Sequence, residues 1–410
     1  MAVSWFNSLL SLLLLALIVQ LNNAEDPEVN MNVSQIISYW GYPCEDYSVV
    51  TSDGYILSVQ RIPHGRNGRH KSNTVKPVVY LQHGLLGSAT HFLLNLANSS
   101  LGFILADAGY DVWLGNSRGN IYSTRHKTLS PDSDAFWDFS WDEFAKYDIP
   151  ATLNYILNYT QTSSLSYIGH SQGTTIAFAE FSRNQTWASK VDIFIALAPV
   201  AYVGNMVSPL KYLSYFTGEI ELLFKILGVR DFNLPPKVQE WLAELACNPK
   251  LGEELCANVV FLLCGFDKAQ MNETRMPVYT AHIPQGTSVK DIIKWAQGVR
   301  SKRFCMYDYG TSGNQKHYGQ DTPPSYHLSS VNVPTALFYG GNDWLADVKD
   351  VNMIIAQHKH IVYKKEIVAW DHLDFIAGKD APALIYGDIL KLLAKHSRRS
   401  SNRLRNRIRV

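Results

Sequence analysis

Short, mostly apolar runs recur along this chain, each closed by glycine, proline or a turn. They are Pro77–Gln82 before His83-Gly84, Tyr110–Leu114 before Gly115-Asn116, Ser164–Ile168 before Gly169, Val191–Ala198 before Pro199, Val333–Tyr339 before Gly340-Gly341, and Ile361–Val368 just before Trp370. Runs of this length and composition read as strands buried on both faces. Helix-length segments lie between them, Trp141–Asn158 and Gln172–Arg183 among them, and Pro382–Lys395 reads as the last helix. Strands alternating with helices predict an α/β protein with a mostly parallel sheet covered on both faces. Upstream, Tyr47–Ile62 reads as two strands about an Asp53-Gly54 turn, a hairpin that adds antiparallel strands at one edge.

One interval breaks the rhythm. From Ala201 to about Asn332 no strand pattern is legible, although a parallel crossover needs only about a dozen residues. Apolar helical runs at Leu210–Leu227, Lys237–Ala246 and Ser288–Arg300 mark an insertion. It reads as a helical cap over the strand ends; the alternative is a separate helical domain with no role at the site. The expected organisation is therefore a core over 25–200 and 333–395, an insertion over 201–332, and a tail over 396–410.

The two ends carry different signals. Leu9–Val19 is an almost unbroken apolar run and Ala24 offers a small residue for cleavage, so residues 1–24 read as a signal peptide, despite an n-region without Lys or Arg. The run is too short to span a bilayer comfortably, and no other segment approaches spanning length without charges. The chain is expected in the secretory pathway, bound for the lysosome or the outside, with no transmembrane segment after signal removal. Sequons beginning at Asn32, Asn98, Asn158, Asn184 and Asn272 agree with that route. So does an odd set of five cysteines: Cys247 and Cys256, enclosing CNPKLGEELC, are the best pairing candidates, and Cys44, Cys264 and Cys305 are unassigned. No Cys/His spacing suggests zinc.

The formal charge of +1 hides an asymmetry. Lys395, Arg398, Arg399, Arg403, Arg405, Arg407 and Arg409 close the chain with no acid among them, and without those bases the body carries 36 acids against 30 bases. A mildly acidic body excludes a nucleic-acid surface, which needs clustered Lys and Arg. The short, like-charged tail is expected to be disordered; the functional alternative is attachment to anionic membrane or glycan surfaces.

The chemistry centres on Gly169-His170-Ser171-Gln172-Gly173. G-x-S-x-G alone is weak, but here a strand leads in and a helix leads out, as a nucleophile elbow requires. A serine hydroxyl attacks only when a base removes its proton, and the base needs an orienting acid. In this arrangement the acid and then the histidine follow the serine along the chain. Asp343, just after the strand ending at Tyr339, and His372, after the run ending at Val368, take those places. Asp347 and Asp350 fall on the next helix, His358 and His360 precede the last strand, and His327 comes before the acid. Two main-chain N–H donors must meet the oxyanion: Gln172 supplies one, and the turn His83–Ser88 the other, at Leu85 with Leu86 in reserve.

With these residues in place, the chain resembles the animal acid lipase family, which includes gastric and lysosomal acid lipases. The resemblance spans about Asn32 to Lys395 and rests on QHGLLGSAT, ILADAGYDVWLGNSRGN, FSWDEFAKYDIPATLNYI, YIGHSQGTT, GGNDWLADVKDV and HLDFIAGKDAP. It implies an α/β-hydrolase fold with a helical cap and movable lid, and hydrolysis of neutral lipid esters, triacylglycerols or cholesteryl esters, at a lipid–water interface. It also implies Ser171, Asp343 and His372 as the triad, Leu85 and Gln172 as oxyanion donors, a Cys247–Cys256 disulfide in the cap, and a free Cys264. Cys44 and Cys305 match nothing in the family pattern, leaving a further disulfide open, and the basic tail extends past the family's usual end.

The expected reaction is two-step acyl transfer by a monomer, needing no metal or organic cofactor. An apolar cap suits a long acyl chain, because each buried methylene contributes about 0.8 kcal/mol. The alternatives are a non-enzymatic lipid-binding or storage protein on the same scaffold, and an esterase for small soluble esters.

Overall fold

The predicted strands assemble into one mixed sheet. The computed structural model describes residues 26–68, 76–209, 211–212, 230–231, 264–265 and 267–407. Its strands are β1 (Glu45–Val50), β2 (Tyr55–Ile62), β3 (Val78–Gln82), β4 (Asp111–Gly115), β5 (Arg125–His126), β6 (Leu165–His170), β7 (Val191–Leu197), β8 (Thr335–Gly340) and β9 (Ile361–Ile367). They lie in the order β1-β2-β4-β3-β6-β7-β8-β9, with β5 paired to β2. The pairs from β4 to β9 are parallel, and those involving β1, β2 and β5 antiparallel. The Asp53-Gly54 turn joins β1 to β2, and Gly54 sits at φ +103, a conformation that disfavours a side chain.

Every residue of β3, β4, β6 and β8 is buried, because helices cover both faces of the sheet. Alternate residues feed two cores. Val79, Leu81, Val112, Leu114, Ile168 and Ile195 point to one face, which Val33–Tyr39, Leu101–Asp107 and the start of the last helix cover. Val78, Tyr80, Trp113, Tyr167, Phe194 and Leu337 point to the other, under Ile149–Thr160, Gln172–Arg183 and Val348–Gln357. Each fully buried side chain of this size contributes about 1.5–3 kcal/mol. The edge strand β9 instead alternates half-buried with exposed positions.

From β3 the chain moves to β4 on one side, and from β6 to β7 on the other. The strand order therefore reverses between β3 and β6, and ligand crevices open at the carboxyl ends of strands at such a switch point. The β7–β8 crossover carries the long segment, which holds no named strand among its described residues. Its described helices include Met276–His282, Val289–Ser301 and Gly310–Tyr318. Arg275 ties it to the start of the described chain, reaching both carboxylate oxygens of Glu28 at 2.6 and 2.9 Å. The predicted runs Leu210–Leu227 and Lys237–Ala246 begin or lie outside the described residues.

Three details differ from expectation. The two-residue strand β5 is too short for any periodicity to announce. The helix expected over Trp141–Asn158 widens to a π turn at Phe144–Asp148, just where Pro150 has no N–H to return to the preceding turn. The last helix does not stop at Lys395; its backbone runs Gly387–Arg407. No Pro or Gly follows Gly387 to end it, and propagation of a formed helix requires only one residue fixed per bond gained.

Candidate active site

At the carboxyl end of β6 the chain turns so sharply into Gln172–Arg183 that Ser171 sits at φ 53, ψ −121. A non-glycine residue there is strained and persists only because its surroundings hold it. Those surroundings are tight. A Cβ on Gly173 would lie 2.3 Å from the Gln82 carbonyl oxygen, and one on Gly84 would lie 2.9 Å from the Ser171 Cβ. The glycines therefore let the elbow pack directly against the turn that follows β3.

Asp343 and His372 reach the same point from β8 and β9. The two loops touch through their main chains: a Cβ on Gly340 would lie 2.3 Å from the Trp370 carbonyl oxygen, and the Asn342 N–H donates to that oxygen at 3.0 Å. The Asp343 carboxylate accepts the N–H groups of Leu345 and Ala346 at 2.9 and 2.7 Å, which fixes its orientation. His372 Nδ1 lies 2.8 Å from Asp343 Oδ2, and its Nε2 lies 2.7 Å from Ser171 Oγ. All three side chains are buried. An imidazole between a carboxylate and a hydroxyl can take the hydroxyl's proton while the carboxylate stabilises the imidazolium.

The other candidates lie elsewhere. His358 pairs with Thr335 Oγ1 at 2.7 Å, Asp347 caps the helix Val348–Gln357, and Asp350 binds the Asn205 side chain at 2.7 Å. Gln172 is the first residue of its helix, so its N–H has no partner within that helix. Leu85 and Leu86 share one small cleft with Gln172, and Leu86, at φ 56, accepts the Gln285 N–H through its carbonyl. Asn32, Asn98 and Asn158 are exposed, whereas Asn184 and Asn272 are half-buried. Cys44, Cys264 and Cys305 are free thiols, so the further disulfide left open for Cys44 and Cys305 does not form. Cys247 and Cys256 lie outside the described residues. No group of His, Cys, Asp or Glu suited to a metal is found among the described residues.

Several supporting residues escaped the sequence reading. His170 Nε2 donates to the His372 carbonyl at 2.9 Å, bracing the loop that carries the imidazole. The Cys264 carbonyl accepts the N–H groups of Trp344 and His372 at 3.3 and 3.4 Å, threading the crossover between the acid and histidine loops. Gly265, at φ +112, passes so close that a Cβ would lie 2.7 Å from Asp371 Cβ. His83 is locked neutral: its Nδ1–H donates to the Gly84 carbonyl, its Nε2 accepts the Ser117 N–H, and burial pushes its pKa down to about 4. Burial drives the Asp291 carboxyl up to about 7, against hydrogen bonds from Gln172, Thr287 and Trp141 that favour its charge. The sequence singles out Gln172 through its place after the nucleophile, but nothing local marks Asp291 or Gly265.

Comparison with known proteins gives one direction. The "alpha/beta hydrolase fold" family matches residues 77–379, and the "partial alpha/beta-hydrolase lipase region" matches residues 33–96. The chain is 50% identical to the lysosomal acid lipase/cholesteryl ester hydrolase of Homo sapiens over 374 residues, 91% of this chain and 93% of that protein. It is 50% identical to the gastric triacylglycerol lipase of Rattus norvegicus over 372 residues, covering 90% and 93%. It is 49% identical to lipase member K of Homo sapiens over 377 residues, covering 92% and 93%.

Proposed function

Because the chain belongs to the α/β-hydrolase family and, within it, to the acid lipases, we propose that Ser171, His372 and Asp343 carry out its ester hydrolysis. The enzyme is a lipase acting on ester bonds of neutral lipids; triacylglycerols and cholesteryl esters are the substrates its relatives' names indicate. The observation that carries the residue assignment is the unbroken chain from Ser171 Oγ through the His372 ring to Asp343, with links of 2.7 and 2.8 Å.

Ser171 Oγ attacks the ester carbonyl carbon as its proton passes to His372 Nε2. The carbonyl oxygen becomes an oxyanion facing the main-chain N–H groups of Gln172 and Leu85. As the ester C–O bond breaks, His372 returns the proton to the departing alcohol, leaving the acyl group on Ser171. Water then gives a proton to His372 as its oxygen attacks the acyl carbon; the bond from that carbon to Ser171 Oγ breaks, His372 returns the proton to Oγ, and the fatty acid is freed. Asp343 holds the ring with Nδ1 protonated throughout.

Passage through the secretory pathway to the lysosome or the outside, with a cap and lid from the crossover over the site, completes the reading. Among the described residues no helix is long and apolar enough to cross a membrane. An acyl-chain-length series on purified protein at several pH values, with Ser171→Ala as control, tests the proposal. Long-chain neutral esters should be cleaved and the variant should be inert; normal turnover by the variant would overturn it.

A further inference from the structure

The nucleophile elbow is held from a part of the chain more than a hundred residues away. Gln172 is almost wholly buried, and both ends of its side-chain amide are engaged. Its Nε2 donates to Asp291 Oδ2 at 2.9 Å, and its Oε1 accepts from Trp295 Nε1 at 3.3 Å. Asp291 and Trp295 both lie on the crossover helix Val289–Ser301. The Asp291 carboxylate is itself fixed, by Thr287 Oγ1 at 2.9 Å on Oδ2 and by the Trp141 N–H at 2.8 Å on Oδ1. Its own N–H is capped by Ser288 Oγ at 3.0 Å.

Stability alone is a poor explanation for this carboxylate. Asp291 is fully buried, and burying a carboxylate costs several kcal/mol unless it is well compensated. The lysines on its helix are engaged elsewhere: Lys294 gives its ammonium to the Cys305 carbonyl at 2.6 Å, and Lys290 pairs with Asp138 at 2.7 Å. Asp142, the adjacent acid, repels it. What the carboxylate does hold is the residue whose main-chain N–H follows the nucleophile, next to a backbone strained at Ser171. Such a turn relaxes unless its flanks are clamped, and an oxyanion donor acts only when aimed beforehand.

We propose that Asp291 is a positioning residue for the hydrolysis: from the crossover helix it grips the Gln172 side chain and so aims the Gln172 main-chain N–H at the oxyanion. The inference rests on the Ser171 mechanism proposed above. It makes the crossover part of the machinery rather than only a cover, because Asp291 and Trp295 set the donor geometry together.

The test uses the full-length protein and a soluble short-chain p-nitrophenyl ester, so that KM reports binding rather than adsorption to a lipid surface. Removing one preorganised oxyanion donor costs about 10²–10³ in kcat. Misaiming it through Asp291→Asn should lower kcat about 10- to 100-fold and leave KM within about threefold. Gln172→Met keeps the main-chain N–H and should lose kcat to a similar degree. Trp295→Phe should lose about two- to fivefold, on the scale of one weak hydrogen bond. The double variant Asp291→Asn/Gln172→Met should be no worse than the weaker single, since both remove one interaction. Multiplying losses, or an unchanged kcat in Gln172→Met, would overturn the proposal; the latter decides even if Asp291→Asn fails to fold. Ser171→Ala separates the premises. If it is inert while Asp291→Asn and Gln172→Met keep full kcat, only the Asp291 role falls; if it retains turnover, the mechanism and this role fall together.

Discussion

Two groups of buried titratable side chains surround the His372 loop, a chain of histidines and a pair of carboxyls. His170 lies 5.1 Å away, His91 6.0 Å beyond it, and His83 6.1 Å beyond that, centroid to centroid. Burial first, then the neighbouring rings, pushes His170 down to about 3 and His91 well below its ordinary value. In the carboxyl pair, Asp371 accepts the Leu373 N–H, and its own N–H donates to Asp374 at 2.7 Å. Burial first, and then neighbouring charge, raises both carboxyls: Asp343 and Asp267 act on Asp371, and Asp371 acts on Asp374.

The two sides have opposite proton linkage. A histidine with a depressed folded pKa binds fewer protons than in the unfolded chain, so its stabilising contribution is present above about 6.5 and is lost as pH falls toward the folded value. A carboxyl with a raised folded pKa contributes stability that is complete below about 4 and is lost as pH rises through the folded value. The histidine side therefore loses stability in acid and the carboxyl side loses it in base.

The largest expected effects separate nucleophile from acid. Ser171→Ala should cost about 10⁶ in kcat and Asp343→Asn about 10⁴, because the hydroxyl is the reacting group while the carboxylate acts through the ring. Equal losses, measured on a soluble ester, would contradict those roles. Next comes Gly84→Ala on the histidine side. The new Cβ would press on Ser171 Cβ and stand 3.2 Å from His170 Nδ1. A displaced nucleophile should cost about 10²-fold in kcat with little change in KM.

Stability tests sharpen the comparison further. Asp374→Asn keeps an acceptor for the Asp371 N–H and removes one charge of the pair. It should stabilise the protein by about 2 kcal/mol at pH 8 relative to its effect at pH 4. A thermal-midpoint series over pH checks this, and a shift equal at both ends would remove the carboxyl side from the argument. The smallest effect is expected from His170→Gln, which can still donate to the His372 carbonyl. It should flatten the loss of stability between pH 6.5 and 5 by about 1 kcal/mol; an unchanged slope would mean that His170 is not the group resisting protonation.

The legible parts of this protein share one property: they are local. Apolar runs closed by glycine or proline announced β3, β4, β6, β7 and β8, since a strand buried on both faces is mostly apolar. The site residues were legible because chemistry sits where strands end. Ser171 falls between β6 and a helix, Asp343 after β8, and His372 after β9. The end of the last helix, at Arg407, is not legible because no Pro or Gly after Gly387 marks a stop.

By itself, then, the order of residues determined the strand–helix alternation, the elbow at Ser171, and the candidate acid and base, all through short-range patterns and turn chemistry. Only the tertiary structure decided that Asp291 holds Gln172, that the Cys264–Gly265 main chain runs between the acid and histidine loops, and that buried histidines and raised carboxyls gather about the His372 loop. Those relations join residues far apart in the chain, and they exist only once the sheet order and the crossover bring the segments together. No local pattern encodes them, because a hydrogen bond across a fold depends on where both partners come to rest.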